Sequence, residues 1–389
     1  MIRPARGGVK GGVKGGVKAA QRVGPSWRWV HIAGSPGRSN SPARVETDNG
    51  AGMTQADITV GRRQSAAAGR RKFQSQEMAI FAIAAALAVL FAFMLPGFAT
   101  INNMLTLARS VSVLGVLSLA MALVVIGRGL DLSLIASMAA GAATVMALQG
   151  AGYAFPLAIL AGLAVAMAIG LVNGWIIAFI EVPALFTTLA MSLLVFGVAR
   201  FAFKSVLVYP PADAHAFLFL GQGKLFGVPM PIIVFAVLAV AMHLFLSRTT
   251  PGRFTYARGD NPEAARLTGV DVRRDIIISY MLAAGLSLLA GLVSASATAS
   301  MNLQIITGTM IFDVVLVVVL GGVSLVGGRG SVLSVLAGAL LIGVLLNGLT
   351  IMNVNNQMQD IVRGLVLLGA IILDNRLHPR DEETARQGD

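Results

Sequence analysis

Ten runs of apolar residues, most of them near the length at which a helix crosses a bilayer, divide the chain between about residues 78 and 373. They read as helices near 78–98, 110–127, 132–149, 154–180, 184–203, 228–247, 276–297, 310–326, 331–352 and 359–373. Spanning the hydrocarbon core takes about 20 predominantly apolar residues, so the fold class is all-α, a polytopic membrane protein with about ten transmembrane helices. Composition agrees, with 56% hydrophobic residues against 12% charged. A soluble domain of 389 residues needs far more charge to cover its surface. Asp131, Glu181 with Pro183, and the glycines of 321–330 interrupt what would otherwise be longer spans. Nine and eleven are the neighbouring counts.

Several function classes drop out. The chain has no cysteine, and its four histidines (His31, His215, His243, His378) form no ligand pair at helical spacing, so no metal centre is expected. There is no G-x-x-x-x-G-K-[ST] loop, no H-E-x-x-H and no G-x-S-x-G elbow. The chain is therefore expected to be neither an enzyme nor its own ATPase. The net charge of +12 suggests nucleic acid at first sight, but residues 1–72 hold 14 Lys and Arg against three acids, and the remainder holds 16 against 15. Residues 1–72 read as a disordered, low-complexity leader, with GGVKGGVKGGVK at 7–18 and native translation expected to start at Met53. A peptide from within 1–40 in protein from its own host would overturn that start. No nucleic-acid partner is expected.

Loop charge sets the direction of the helices, because cytoplasmic loops are enriched in Lys and Arg. Arg70, Arg71 and Lys72 precede the first span, which puts the N-terminus in the cytoplasm, and ten crossings return the C-terminus there. From residue 70 onward this threading leaves fourteen basic residues inside and four outside: Arg109, Arg200, Lys204 and Lys224. The transmembrane domain is taken as 73–376, followed by a cytoplasmic tail at 377–389. The outer loop near 204–227 reads as an interfacial segment. The inner loop near 248–275 is the most polar part of the domain.

Within that inner loop, NPEAARLTGV at 261–270 has the marks of a short amphipathic helix. Asn261 suits the N-cap, Pro262 the first turn, Glu263 the positive end of the helix dipole, and Gly269 the stop. Such a helix is either a connector at the bilayer surface or a peg seated in a groove of a soluble partner. ARGDNPEAARLTGV at 257–270 resembles the cytoplasmic coupling segment of the permease subunits of ribose- and pentose-type ATP-binding-cassette importers. GRGLDLSL at 127–134 is similar to that family's G-x-D-L-S signature. VVVLGGVSLVGGRGSVLSVLAGALLIGVLLNGL at 317–349 and VRGLVLLGAIILDN at 362–375 resemble its late spans. The likeness runs from about residue 78 to 376. One departure stands out: family members often carry an acid two places before the aspartate of the eighth span, where this chain has Ile311 before Asp313. The resemblance therefore does not single out ribose.

The resemblance implies a multi-pass subunit of the bacterial cytoplasmic (inner) membrane, surrounded by membrane lipid and importing a monosaccharide such as ribose, xylose, arabinose or rhamnose. It implies separate ATPase subunits that bind ATP and Mg, a periplasmic sugar-binding protein, and a second permease copy, either identical or a close paralogue. No cofactor belongs to this chain. Asn261, Glu263, Ala264, Ala265, Arg266 and Gly269 would couple it to the ATPase. Ionisable and polar groups within membranes are costly and mark pathways or structural pairs. On that ground Asp131, Ser133, Asn173, Asp313 and Asn347 are candidates for the translocation path, with an Asp–Arg pair as one structural alternative for Asp313. Gly321, Gly322, Gly327 and Gly328 are candidates for a hinge, and Gly170, Gly174, Gly338, Gly343 and Gly348 for close helix packing. The rival functions are a branched-chain amino-acid permease of a related importer group and a proton-coupled secondary sugar transporter.

Overall fold

Each of the ten apolar runs falls on a helix. The computed structural model describes residues 77–377; the leader, the start at Met53, residues 73–76 and all but the first residue of the C-terminal tail lie outside the described residues. The helices, in chain order, are α1 (Glu77–Met94), α2 (Ile101–Ile126), α3 (Leu134–Gly150), α4 (Phe155–Trp175), α5 (Ala184–Phe203), α6 (His215–Gln222), α7 (Met230–Arg248), α8 (Thr250–Asp260), α9 (Pro262–Leu267), α10 (Val272–Thr298), α11 (Met310–Leu320), α12 (Val332–Ile351) and α13 (Asn356–Leu377). Seven helical segments are long and apolar enough to cross a bilayer: α1, α2, α4 with its extension to Ile180, α5, α7, α10 and α12. α3 and α11 are apolar but shorter. The only strands among the described residues are two-residue pieces, β1 (Leu207–Val208), β2 (Lys224–Leu225), β3 (Val228–Pro229) and β4 (Met301–Asn302), paired antiparallel as β1–β4 and β2–β3.

Local chemistry sets the boundaries. Thr100 caps α2 by accepting from Asn103 N, so the helix begins well before residue 110. Arg109 thus lies inside α2 and not in an outer loop, which removes one of the four outer charges from the loop count. At 26 residues this helix is about 39 Å long at 1.5 Å per residue. α4 runs into a π-helical turn at Ile176–Ile180 and stops where Glu181 turns left-handed (φ 62°) ahead of Pro183. α11 ends at Leu320, short of the expected 326, because Gly321 and Gly322 leave the helix and Gly322 takes φ 91°. Its 11 residues cover about 16 Å, well short of a hydrocarbon core. The irregular segment 321–331 follows it, with Gly321–Ser324 and Gly327 buried in protein, as non-helical backbone at membrane depth requires unless it lines a water-filled cavity.

α2, α3 and α10 form the centre. Every residue of α2 from Leu114 to Ile126 is buried, as is α3 from Leu134 to Ala143; helices apolar all round belong in the interior. α4 reaches α10 through Gly170 and Gly174, whose faces lie on the Tyr280–Met281 and Ile277 backbone, and Gly338 of α12 rests on Val317 O of α11. Close packing is thus the role of these glycines. Leu157 and Leu160 of α4, Phe186 and Leu193 of α5, and Leu365 and Leu368 of α13 point outward.

Residues that alternate threading assigns to one side do meet at one end. At the Glu77 end, Ile126 O accepts from Gly328 N (2.8 Å), Glu77 accepts from Ser334 Oγ (2.7 Å), and Glu181 pairs with Arg273. At the opposite end Asn103 meets Asn347, Asp313 meets Arg363, and β1 meets β4. The 204–229 segment is more than an interfacial loop: α6 packs on α10, Phe217 is fully buried, and Gln222 Nε2 donates to Ser296 O at 3.1 Å. Burying such a side chain favours this seat by about 1.5–3 kcal/mol.

Candidate functional site

The expected short helix forms at the Glu77 end as α9. Asn261 Oδ1 accepts from Ala264 N at 3.0 Å, Pro262 occupies the first turn, and Gly269 follows with φ 86°. Glu263 and Arg266 pair across one turn at 2.9 Å, both more than half exposed; an exposed pair of this kind contributes well under about 1 kcal/mol. Ala265 is the buried contact that seats the helix, and Leu267 beside it is 89% exposed.

α8 precedes it, a helix that the polarity of the inner loop concealed. Thr249 caps it by accepting from Gly252 N, and Pro251 sits in its first turn. That Thr-x-Pro start is the sequence signal that would have revealed it. Arg258, one of the fourteen basic residues that loop charge assigns to the inner side, is buried beside the Asp275 carboxylate of α10 (Nε–Oδ2 3.0 Å), off-axis for a hydrogen bond. Its Nη2 donates to Ser279 Oγ at 3.2 Å, and Thr255 Oγ1 donates to Asp275 Oδ1 at 3.3 Å. Burial lowers the guanidinium pKa, and the Asp275 carboxylate opposes that shift. Tyr256 OH donates to Gly330 O at 2.7 Å. Burial, with Glu77 adding to it, pushes that phenol up to about 12, so it remains a donor throughout the working range.

The glycine segment meets this helix directly. Arg128 Nε donates to Val326 O at 2.8 Å, and Gly327 and Gly328 lie against Gly259 O and the Asp260 backbone. Gly322, Gly327 and Gly328 all hold positive φ. The segment is bonded at both flanks, so Gly321–Gly328 is a packed corner joining α8, α2 and α12.

The pathway candidates separate into three places. Asp131, Ser133 and Asn173 come together, all fully buried: Asp131 Oδ1 accepts from Ser133 N (2.8 Å) and Ser133 Oγ (2.6 Å), and Asn173 Nδ2 donates to Ser133 Oγ (2.7 Å). Thr188 of α5 accepts from Leu132 N at 3.1 Å, and Tyr280 of α10 donates to Leu130 O at 3.3 Å. Asp131 Oδ2, Asn173 Oδ1 and Ser137 Oγ have no partner. Asp313 sits at the other end with Arg363 (3.1 Å), which also donates to Asp360 and Thr309. Asn347 exchanges hydrogen bonds with Asn103 at 2.9 and 3.0 Å. Thr188, Tyr280 and Asp275 were not foreseen, since each carries one polar group on a helix with no motif around it, and Arg258 lies in the 257–270 motif but outside the residues expected to make contact. No group of metal-ligating side chains occurs among the described residues.

Residues 103–371 match the family model described as branched-chain amino acid transport system / permease component. The chain is 36% identical over 283 residues to the ribose import permease protein of Escherichia coli (strain K12), covering 72% of this chain and 88% of that one. It is 35% identical over 290 residues to the L-arabinose transport system permease protein of the same strain, covering 74% and 88%. Against the fructose import permease protein of Rhizobium meliloti the identity is 32% over 289 residues, covering 70% and 77%. No solved structure matches the chain.

Proposed function

The chain belongs to the permease family of binding-protein-dependent importers that this match defines, and on that premise we propose that it is the membrane subunit of an ATP-driven monosaccharide importer. It is a transporter component and a multi-pass protein of the bacterial inner membrane. The relatives described above carry ribose, arabinose and fructose in their names, which supports a sugar over the amino acid in the family's description. The observation that carries the mechanism is α9, capped, exposed and fastened to the bundle through α8 and α10.

In this reading the Glu77 end faces the cytoplasm and two ATPase subunits dock there, each receiving one α9. A second copy of this chain or a paralogue completes the path, and a periplasmic binding protein delivers sugar at the Arg363 end. ATP binding stabilises one packing of the helices over the other, and α9 carries that preference into the membrane. Asp131, Ser133 and Asn173 are sealed from solvent, so their role in this conformation is to hold α3, α4 and the 128–133 loop together.

The test is uptake in membranes carrying the chain with its ATPase and binding protein. Labelled ribose, arabinose and fructose are offered against labelled leucine. Sugar uptake that needs ATP and survives a protonophore is expected; leucine uptake, or collapse under the protonophore with ATP held constant, would overturn the reading. Glu263→Arg and Gly269→Val are expected to uncouple hydrolysis from uptake while leaving the bundle folded. Unchanged uptake in both would remove α9 from the mechanism.

A further inference from the structure

α9 is six residues long, too short to transmit force by itself. Its anchorage decides whether a push on it reaches the membrane helices. Its N-terminal side is continuous with Arg258 and Gly259, which are sunk into the bundle, through the exposed Asp260. Arg258 is 4% exposed and Asp275, one turn into α10, is 3% exposed. The guanidinium also reaches Gly127 at the end of α2, where an added Cβ would collide with Nη2. A Cβ at Gly259 would likewise strike Ile126 O and lie 2.5 Å from Gly328 N. The C-terminal side returns through Asp271, which caps α10 by accepting from Arg274 N at 3.1 Å.

We infer that Arg258 and Asp275, seated on Gly127, form a lock that makes α9 move as one body with α2 and α10. This rests on α9 being the ATPase contact. Both are positioning residues: neither reaches the exposed face of α9 where a partner would dock, and neither is needed for that partner to bind. The lock also explains the glycines of GRGLDLSL at 127–134. Gly127 clears space for Arg258, and Gly129 does so for Tyr280, whose hydroxyl lies 2.7 Å from where a Cβ would stand. Without the lock, α8 and α9 would still be tethered by the chain, but their displacement would be absorbed locally.

The experiment uses the whole importer in proteoliposomes and reads sugar transported per ATP hydrolysed. Asp275→Asn keeps shape and removes the charge. Gly127→Ala keeps both charges and removes the seat, so it carries the test by itself if Asp275→Asn fails to assemble. Each is expected to leave ATPase-subunit co-purification and hydrolysis intact while transport per ATP falls about tenfold, the scale of coupling carried by residues between two sites. Arg258→Lys should recover part of the ratio. Gly127→Ala combined with Asp275→Asn should be no worse than Asp275→Asn alone, since both act through one contact. A wild-type ratio in both single variants, fully additive losses, or hydrolysis and transport falling in proportion would overturn the lock. Leu267→Asp separates this from the parent reading: if it leaves co-purification and uptake unchanged, α9 is not the contact, whereas if it disrupts them and Asp275→Asn does nothing, only the lock is wrong.

Discussion

At the scale of single residues, burial divides the polar side chains into those that hold the protein together and those that face a partner. Ser133 belongs to the first group, since one hydroxyl donates to Asp131 and accepts from Asn173. Ser133→Ala leaves both without it in a dry site, so a loss of about 1–3 kcal/mol is expected, read as a lower unfolding temperature in detergent. Asp313 behaves differently. Arg363→Gln strands the carboxylate near the opposite end, where part of its surface is still accessible, and a smaller destabilisation is expected in the same assay. The sequence already showed Asp131, Ser133 and Asp313 as costly polar residues within apolar runs. Partners were harder to see: Asn103 and Asn347 lie 244 positions apart, and only a folded bundle brings them together. The pairing of Arg258 was not legible for a physical reason, since the statistics of loop charge register an arginine near a membrane face without distinguishing a solvated one from a paired one.

Helices were the most legible feature because a bilayer demands long apolar runs and little else competes with that signal. Interruptions were less legible. The expected end of the eighth span at 326 fell at Leu320, because apolar Val323, Leu325 and Val326 continue the hydropathy past a break made by backbone conformation. α6 was missed for the opposite reason, since a helix of eight residues is below the length that periodicity resolves. The packing glycines give a contrast that can be measured. Gly338→Val would press a branched side chain on Val317 O and separate α11 from α12, whereas an added Cβ at Gly364 or Gly369 meets nothing within 4 Å. Gly338→Val is therefore expected to cost about 1–3 kcal/mol or more, and Gly364→Ala to be neutral or slightly stabilising. Equal melting temperatures for the two variants would contradict the placement of α12 on α11.

For the molecule as a whole, the family and the inner-loop motif point outward to subunits that the chain itself does not contain. The direction of the bundle is the proposal that most deserves an independent measurement, and one surface feature supplies the means. The β2–β3 hairpin turns at Phe226 and Gly227, with Phe226 96% exposed and Gly227 at φ 81° with open space around it. A few residues away, α6 is wedged into the bundle and would not accept extra chain. Exposed turns between short strands tolerate insertion well, so a protease site or epitope placed at 226–227 should leave transport intact. In intact spheroplasts it should be cut or labelled from outside, while the same tag placed after Leu267 stays protected until the membrane is opened. The hairpin is thus a built-in handle by which the protein can be read from one face of the cell without disturbing the part that works.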